Sequence, residues 1–269
     1  MRKYLHVINI GIQNTLVYRM NFLFRAIFGL VPLMATIYLW RSIYAGKPAG
    51  QTHVADYNLA AMTSYYLLIT IADALTAVTD DDWQIAGDIR EGAINQFLLK
   101  PIDYLKYRLC LFASGRLIYV AVAAVPVTLF IVYQRQYFVA PPNLAILALF
   151  IFSLLMSALL NFFISYVMAL LAFWLLEIST LIFIVFAFEY MAGGHLFPID
   201  ILPPAVAKIL AFTPFPYQLF FPVSLYLGRI TGPALWRDLA IQSFWVFFFY
   251  LLARWTWNRG IRRYTAFGG

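Results

Sequence analysis

DIREGAINQFLLKPIDYLKYR, residues 88–108, is a charged and punctuated island between two long apolar segments, 57–78 and 109–133. A helix needs roughly 20 mostly apolar residues to cross the hydrocarbon core of a bilayer, and both flanks meet that length. The island therefore reads as an aqueous connection between two membrane spans. Its polarity marks it as a contact surface on the cytoplasmic side.

Four further segments fit the same requirement: 21–45, 144–173, 175–192 and 235–257. Together they predict an all-α integral membrane protein with six transmembrane helices in one domain spanning 1–269. Composition agrees, since 63% hydrophobic and 12% charged residues, with mean hydropathy +0.79, are too apolar for a soluble domain. The net charge of +7 raises the question of nucleic acid. However, the basic residues sit at the ends of apolar runs and form no stripe, so no nucleic-acid partner is expected. The single cysteine, Cys110, excludes an intramolecular disulfide and a cysteine-rich metal site.

Before the first span, Leu5, Ile8, Ile12 and Leu16 recur at helical spacing, which predicts an amphipathic helix over 1–20 lying in the lipid interface. No signal-peptide core and cleavage site follows, so this helix is read as retained. With the N-terminus inside, 13 lysines and arginines, from Arg2 and Lys3 to Arg262 and Arg263, fall on the cytoplasmic side. Arg41, Lys47, Arg135, Lys208, Arg229 and Arg237 fall outside. That asymmetry places both termini in the cytoplasm. Residues 193–233 are apolar but hold seven prolines, so short re-entrant extracellular helices are expected there rather than one continuous span.

Within the island, Asp88 can cap a helix beginning at Ile89, with Glu91 at capping-box spacing and Pro101 closing it. Ile89, Ala93, Ile94, Phe97 and Leu98 would share one face, uncovered by any protein mass of its own. Docking into a groove of a cytoplasmic partner and lying on lipid headgroups both fit this pattern.

Charges inside spans are costly and usually pair or line a pathway. Asp73, Arg25 and Arg116 all lie within about two turns of the cytoplasmic ends of their spans, which predicts that Asp73 pairs with Arg116 or Arg25. Glu177 and Glu189 lie near opposite ends of the fifth span, where both can snorkel to the surfaces. Asp80, Asp81 and Asp82 lack the paired spacing of a diphosphate-clamping metal site and read as a helix start. His6, His53 and His195 lie far apart, with no carboxylate at ligand spacing, so no metal is expected. His195 reads as a loop residue at the outer surface.

The sequence GAINQFLLKPIDYLKYRL, residues 92–109, resembles the loop between the second and third spans of type-2 ABC transporter permeases, with its Gly-x-[Leu/Ile]-x-x-x-Leu-Leu-[Lys/Arg]-Pro pattern. Further features look like one prokaryotic subfamily: Phe173-Trp174, Gly193-Gly194 to Pro198, Leu202 to Pro204, Pro214-Phe215, Leu227 to Arg229, Gln242, Trp245 and the Gly-Gly terminus. The resemblance implies a permease in a bacterial inner membrane that exports an amphipathic or lipophilic small molecule, such as a cationic drug or toxin. It implies that the loop, 79–108, is a coupling element contacting an ABC ATPase dimer through Ile89, Arg90, Glu91, Ile94, Asn95, Phe97, Leu98 and Pro101. A second permease, the same chain or a homologous one, would complete the pathway among membrane lipid. No Gly-x-x-x-x-Gly-Lys-[Ser/Thr] motif occurs, so ATP and Mg are expected in the partner and no cofactor in this chain. A polytopic enzyme on lipid-linked substrates and a secondary transporter are the alternative classes.

Overall fold

The computed structural model describes residues 2–48, 53–78 and 81–264. Their regular structure is helical apart from one antiparallel bridge between Val54 and Tyr57. The helices are α1 (Arg2–Val17), α2 (Arg19–Ala45), α3 (Leu59–Thr76), α4 (Asp81–Arg90), α5 (Asn95–Leu98), α6 (Tyr104–Tyr133), α7 (Leu144–Leu170), α8 (Ser179–Ala192), α9 (Pro204–Leu210), α10 (Phe220–Tyr226) and α11 (Gly232–Arg263). Five of these, α2, α3, α6, α7 with its 3-10 extension to Phe173, and α11, are long and apolar enough to cross a membrane.

The expected fifth span is shorter than the sequence suggests. Only Ser179–Ala192 is helical, 14 residues, or about 21 Å at 1.5 Å per residue, against a hydrocarbon core of about 30 Å. Two local events trim it. Residues 174–178 form the turn out of α7, and at the other end Gly193 and Gly194 turn the chain away. Gly194 has φ +96, and a β-carbon there would meet the Tyr65 hydroxyl at 2.5 Å, so this backbone lies hard against α3. Tyr65 donates to the Gly194 carbonyl at 2.7 Å and Tyr66 to that of Leu196 at 2.6 Å.

α7 is the central post, with α3, α4, α10 and α11 packed around it. One side carries Ser153, Ser157, Asn161 and Ser165, a polar stripe at four-residue spacing. Gln242 of α11 is fully buried against its upper half. Its amide donates to the Tyr217 carbonyl at 2.8 Å and to Ser153 O at 3.0 Å, and its oxygen accepts the Ser153 hydroxyl at 2.9 Å. Ser157 also donates to the Tyr217 carbonyl. One amide thus ties α7, α11 and the segment before α10 together, and buried polar groups are kept only when satisfied in this way.

The N-terminal helix packs on α6 around Gly11. Val7 and Gly11 are its buried residues, and a β-carbon at Gly11 would meet Ser114 of α6 at 2.8 Å. Ser114 donates to the Ile8 carbonyl at 3.1 Å. Leu5 and Leu16 remain exposed. The missing side chain at Gly11 lets α1 lie flat on α6.

The island departs most from expectation. Asp88 does not start a helix; it sits in the last turn of α4, which begins at Asp81 and ends at Arg90. Gly92, at φ +80, stops it, and the Ile94 N–H returns to the Asp88 carbonyl at 2.9 Å. Left-handed backbone of this kind is what ends a helix at glycine. A single-turn α5 follows, and Asp103 caps α6 by accepting the Lys106 N–H at 3.1 Å. Asp80 and the C-terminal Gly268-Gly269 lie outside the described residues.

Candidate functional site

Two places gather the sequence-selected residues, the loop element between α3 and α6 and a cavity between the helices. In the element, Ile89 and Ile94 are buried, in a core with Ile85, Tyr104, Phe162, Tyr166 and Leu170. The expectation of a helix with no protein of its own to cover it is therefore corrected: α4 packs on α7 and on the 3-10 turn Leu171–Phe173. Phe97 is half-buried, its ring 5.1 Å from that of Tyr104 and 4.8 Å from that of Tyr107. The outward residues include Arg90, Glu91, Gln96, Leu98, Leu99, Lys100 and Pro101, with Trp83 and Gln84 from α4, while Asn95 is half-covered. Leu99, 89% exposed, is the most outward apolar side chain of the loop.

The element is firmly joined to the helices behind it. Asp88 accepts the Tyr104 hydroxyl at 2.6 Å and lies 3.8 Å from the buried Arg108 guanidinium, which also donates to Gln84 at 3.1 Å. Asp103 pairs with Arg254 of α11 at 2.5 Å. Tyr104 stacks on Trp257 with ring centroids 5.0 Å apart. These contacts connect α4, α6 and α11 as one block at this end of the molecule.

The second place is a cavity of about 660 Å³ walled by α2, α3, α6, α7 and α8, with Asp82 and Trp83 of α4 also on its lining, within the size range of small-molecule sites. Arg25, Asp73, Arg116 and Glu189, four of the five ionisable residues selected within spans, line it together. Glu177 does not. It lies exposed in the turn before α8, where it accepts the Ser179 N–H at 2.7 Å.

Within the cavity the expected partners differ. Asp73 faces His195, whose Nε2 is 3.4 Å from its Oδ1. Arg116 instead donates to the Ala74 carbonyl at 3.3 Å. His195 is therefore no surface loop residue: its side chain is 15% exposed and stacks on Tyr190 at 4.7 Å. The turn at Gly193-Gly194 carries it down toward α3, a displacement that loop composition does not show. Asp73 keeps 47% of its side-chain surface.

Sequence reading missed the lower half of the α7 stripe. Asn161 donates to the Thr76 carbonyl at 3.2 Å, but its Oδ1, Ser165 Oγ and His195 Nδ1 are buried with no partner. All three residues line the cavity. The signal was present in four polar residues spaced by four along an otherwise apolar helix. Such a wall, with acids, arginines, amide and hydroxyl groups among aromatic rings, can hold a molecule that is polar at one part and apolar at another. Among the described residues no group of three or more His, Cys, Asp and Glu side chains is arranged to hold a metal.

Comparison with curated proteins gives no match. A family model described as "ABC-2 family transporter protein" matches residues 30–268, which takes in the cavity lining apart from Arg25, Ala26 and Gly29, the loop between α3 and α6, and the segment after α8. Matched over that much of its length, the chain belongs to the ABC-2 family of transporter proteins and is a membrane component of an ABC transporter.

Proposed function

We propose that the chain is the permease subunit of an ATP-driven exporter that moves an amphipathic or lipophilic small molecule out of the cytoplasm or the inner leaflet. The observation that carries this reading is the cavity, which joins charged and aromatic groups from five helices in one space of small-molecule size. In a span, such charges are worth their desolvation cost only where they pair or meet a ligand.

In this reading α8 is the fifth of six crossings, the segment 193–233 dips in from the outside, and both termini lie in the cytoplasm of a bacterial inner membrane. The loop 79–108 is the coupling element. Its outward residues, Leu98 and Leu99 with Arg90, Glu91 and Lys100, would meet a dimer of ABC ATPase subunits, where ATP and Mg are bound. The contacts of Asp88, Tyr104 and Arg108 would pass the ATPase motion to α6, and through Arg254 and Trp257 to α11. A second permease, the same chain or a relative, would complete the pathway.

The test is hydrolysis by the complex reconstituted in liposomes, measured across cations, drugs and lipids. Amphipathic compounds should raise ATP turnover above its basal rate. Turnover indifferent to the whole panel would count against an export role. Failure of any ATPase to copurify would count against the subunit assignment itself.

A further inference from the structure

We propose that the cavity is built for a zwitterionic amphiphile, with an ammonium received by Asp73 and Glu189, an oxyanion by Arg25 and Arg116, and an apolar chain along Phe183 and Phe186. The inference deepens the permease reading above and rests on it.

A site for a simple cation would hold carboxylates among apolar and aromatic walls. Here two guanidiniums, Arg25 and Arg116, share the space with three carboxylates, Asp73, Asp82 and Glu189. Tyr119, also on the wall, has Arg116, Arg25 and Asp73 as its charged neighbours, so charges of both signs stand around one ring. A lone cation would be attracted by one set and repelled by the other, and a lone anion likewise. A molecule with both charges satisfies each set at once, and complementarity of this kind governs which partner is accepted.

The uncommitted groups agree. Arg25 has no ion-pair partner among the described residues, and Asp73 has only the His195 ring at 3.4 Å. Asn161, 6% exposed, lines the cavity and holds a partnerless, buried Oδ1, an acceptor for an ammonium N–H. Guanidinium matches the geometry of a phosphate or carboxylate oxyanion.

The apolar end is equally specific. Phe183 and Phe186 line the cavity and are 70% and 59% exposed, on a helix, α8, that leaves Ile184 and Phe188 exposed as well. The apolar wall therefore runs from the cavity to the face that meets lipid, and a hydrocarbon chain can stay in the membrane while its charged end sits inside. A phosphoethanolamine-type lipid and a free zwitterion share the charged chemistry; the chain separates them.

The experiment uses the purified complex of this chain with its ATPase, in detergent, and four probes. These are a fluorescent short-chain phosphoethanolamine lipid, an alkylammonium and an alkyl phosphate of the same chain length, and glycerophosphoethanolamine without a chain. The zwitterionic lipid should bind roughly ten times more tightly than either singly charged probe, the step that 1.4 kcal/mol gives. Asp73→Asn should erase its advantage over alkyl phosphate, Arg25→Gln its advantage over alkylammonium, and Asp73→Glu should restore the first.

Alkylammonium binding as tightly as the zwitterion would overturn the proposal in favour of a cation site, and alkyl phosphate doing so would overturn it in favour of an anion site. Tight binding of the chain-free probe would keep the charge assignment and make the ligand a free zwitterion. The wild-type comparison decides even where a variant fails to fold. ATPase copurifying with no preference for the zwitterion would sink this inference alone. Loss of the ATPase from the preparation would sink the permease reading, while binding to the chain remains measurable.

Discussion

A β-carbon added at Gly260 would collide with Phe173 Cδ2 and lie 2.7 Å from its Cγ. The ring has little freedom to move, because Trp174, Trp257 and Tyr264 pack edge-on around it at 5.9 to 6.1 Å. Alanine would gain up to about 1 kcal/mol of helix propensity over glycine, but overpacking of this severity costs about 1–3 kcal/mol. We therefore predict that Gly260→Ala lowers the thermal unfolding midpoint, followed through exposure of Cys110 to a thiol-reactive dye. Adding Phe173→Leu should recover part of the loss. An unchanged or higher midpoint for the single variant would show that α11 and the end of α7 do not meet as closely as described. At this scale the sequence pointed to Phe173-Trp174 only as a motif; the glycine opposite it, 87 positions away, had no local signal.

Among the elements, the loop between α3 and α6 best shows what can and cannot be read in advance. Its glycine, paired leucines and proline were legible, because turn residues and apolar runs act locally. Its helix boundaries were not. Asp88 followed by Glu91 fits a capping box, yet the side chain of Asp88 is drawn to Tyr104 and Arg108 of α6, and a tertiary ion pair outweighs a cap. The same effect reassigns the docking residues: Ile89 and Ile94 are buried in the protein's own core, and Phe97 is half-covered. Two variants should separate the roles. Leu99→Asp removes an outward leucine and should abolish copurification of the ATPase while leaving the unfolding midpoint unchanged. Phe97→Asp places a charge between Tyr104 and Tyr107 and should lower both. Undiminished ATPase association in Leu99→Asp would remove this surface from the proposed contact.

For the whole molecule, hydropathy located five of the long helices to within a few residues, since a bilayer-length apolar run can hide little else. It also named four of the cavity's charges, Arg25, Asp73, Arg116 and Glu189, because an ionised group in an apolar helix is conspicuous, but not Asp82, which was read as part of a helix start. It could not bring them together. Position along a span gives depth but not the direction a side chain faces, so Asp73 was matched with arginines of similar depth, whereas the turn at Gly193-Gly194 delivers His195. The same turn leaves α8 at 14 residues, and whether that helix completes a crossing decides between five spans and six. Leu99 and Phe212 are 89% and 83% exposed, and α6, α7 and α8 lie between them. Three crossings put the two residues on opposite sides of the membrane, while two put them on the same side. In a Cys110→Ser background without the ATPase, Phe212→Cys on intact cells should react with a membrane-impermeant maleimide, and Leu99→Cys only after the cells are opened. Labelling of both from one side would show that α8 turns back inside the bilayer. Labelling with the sides exchanged would show that the distribution of lysine and arginine does not set the orientation of this protein.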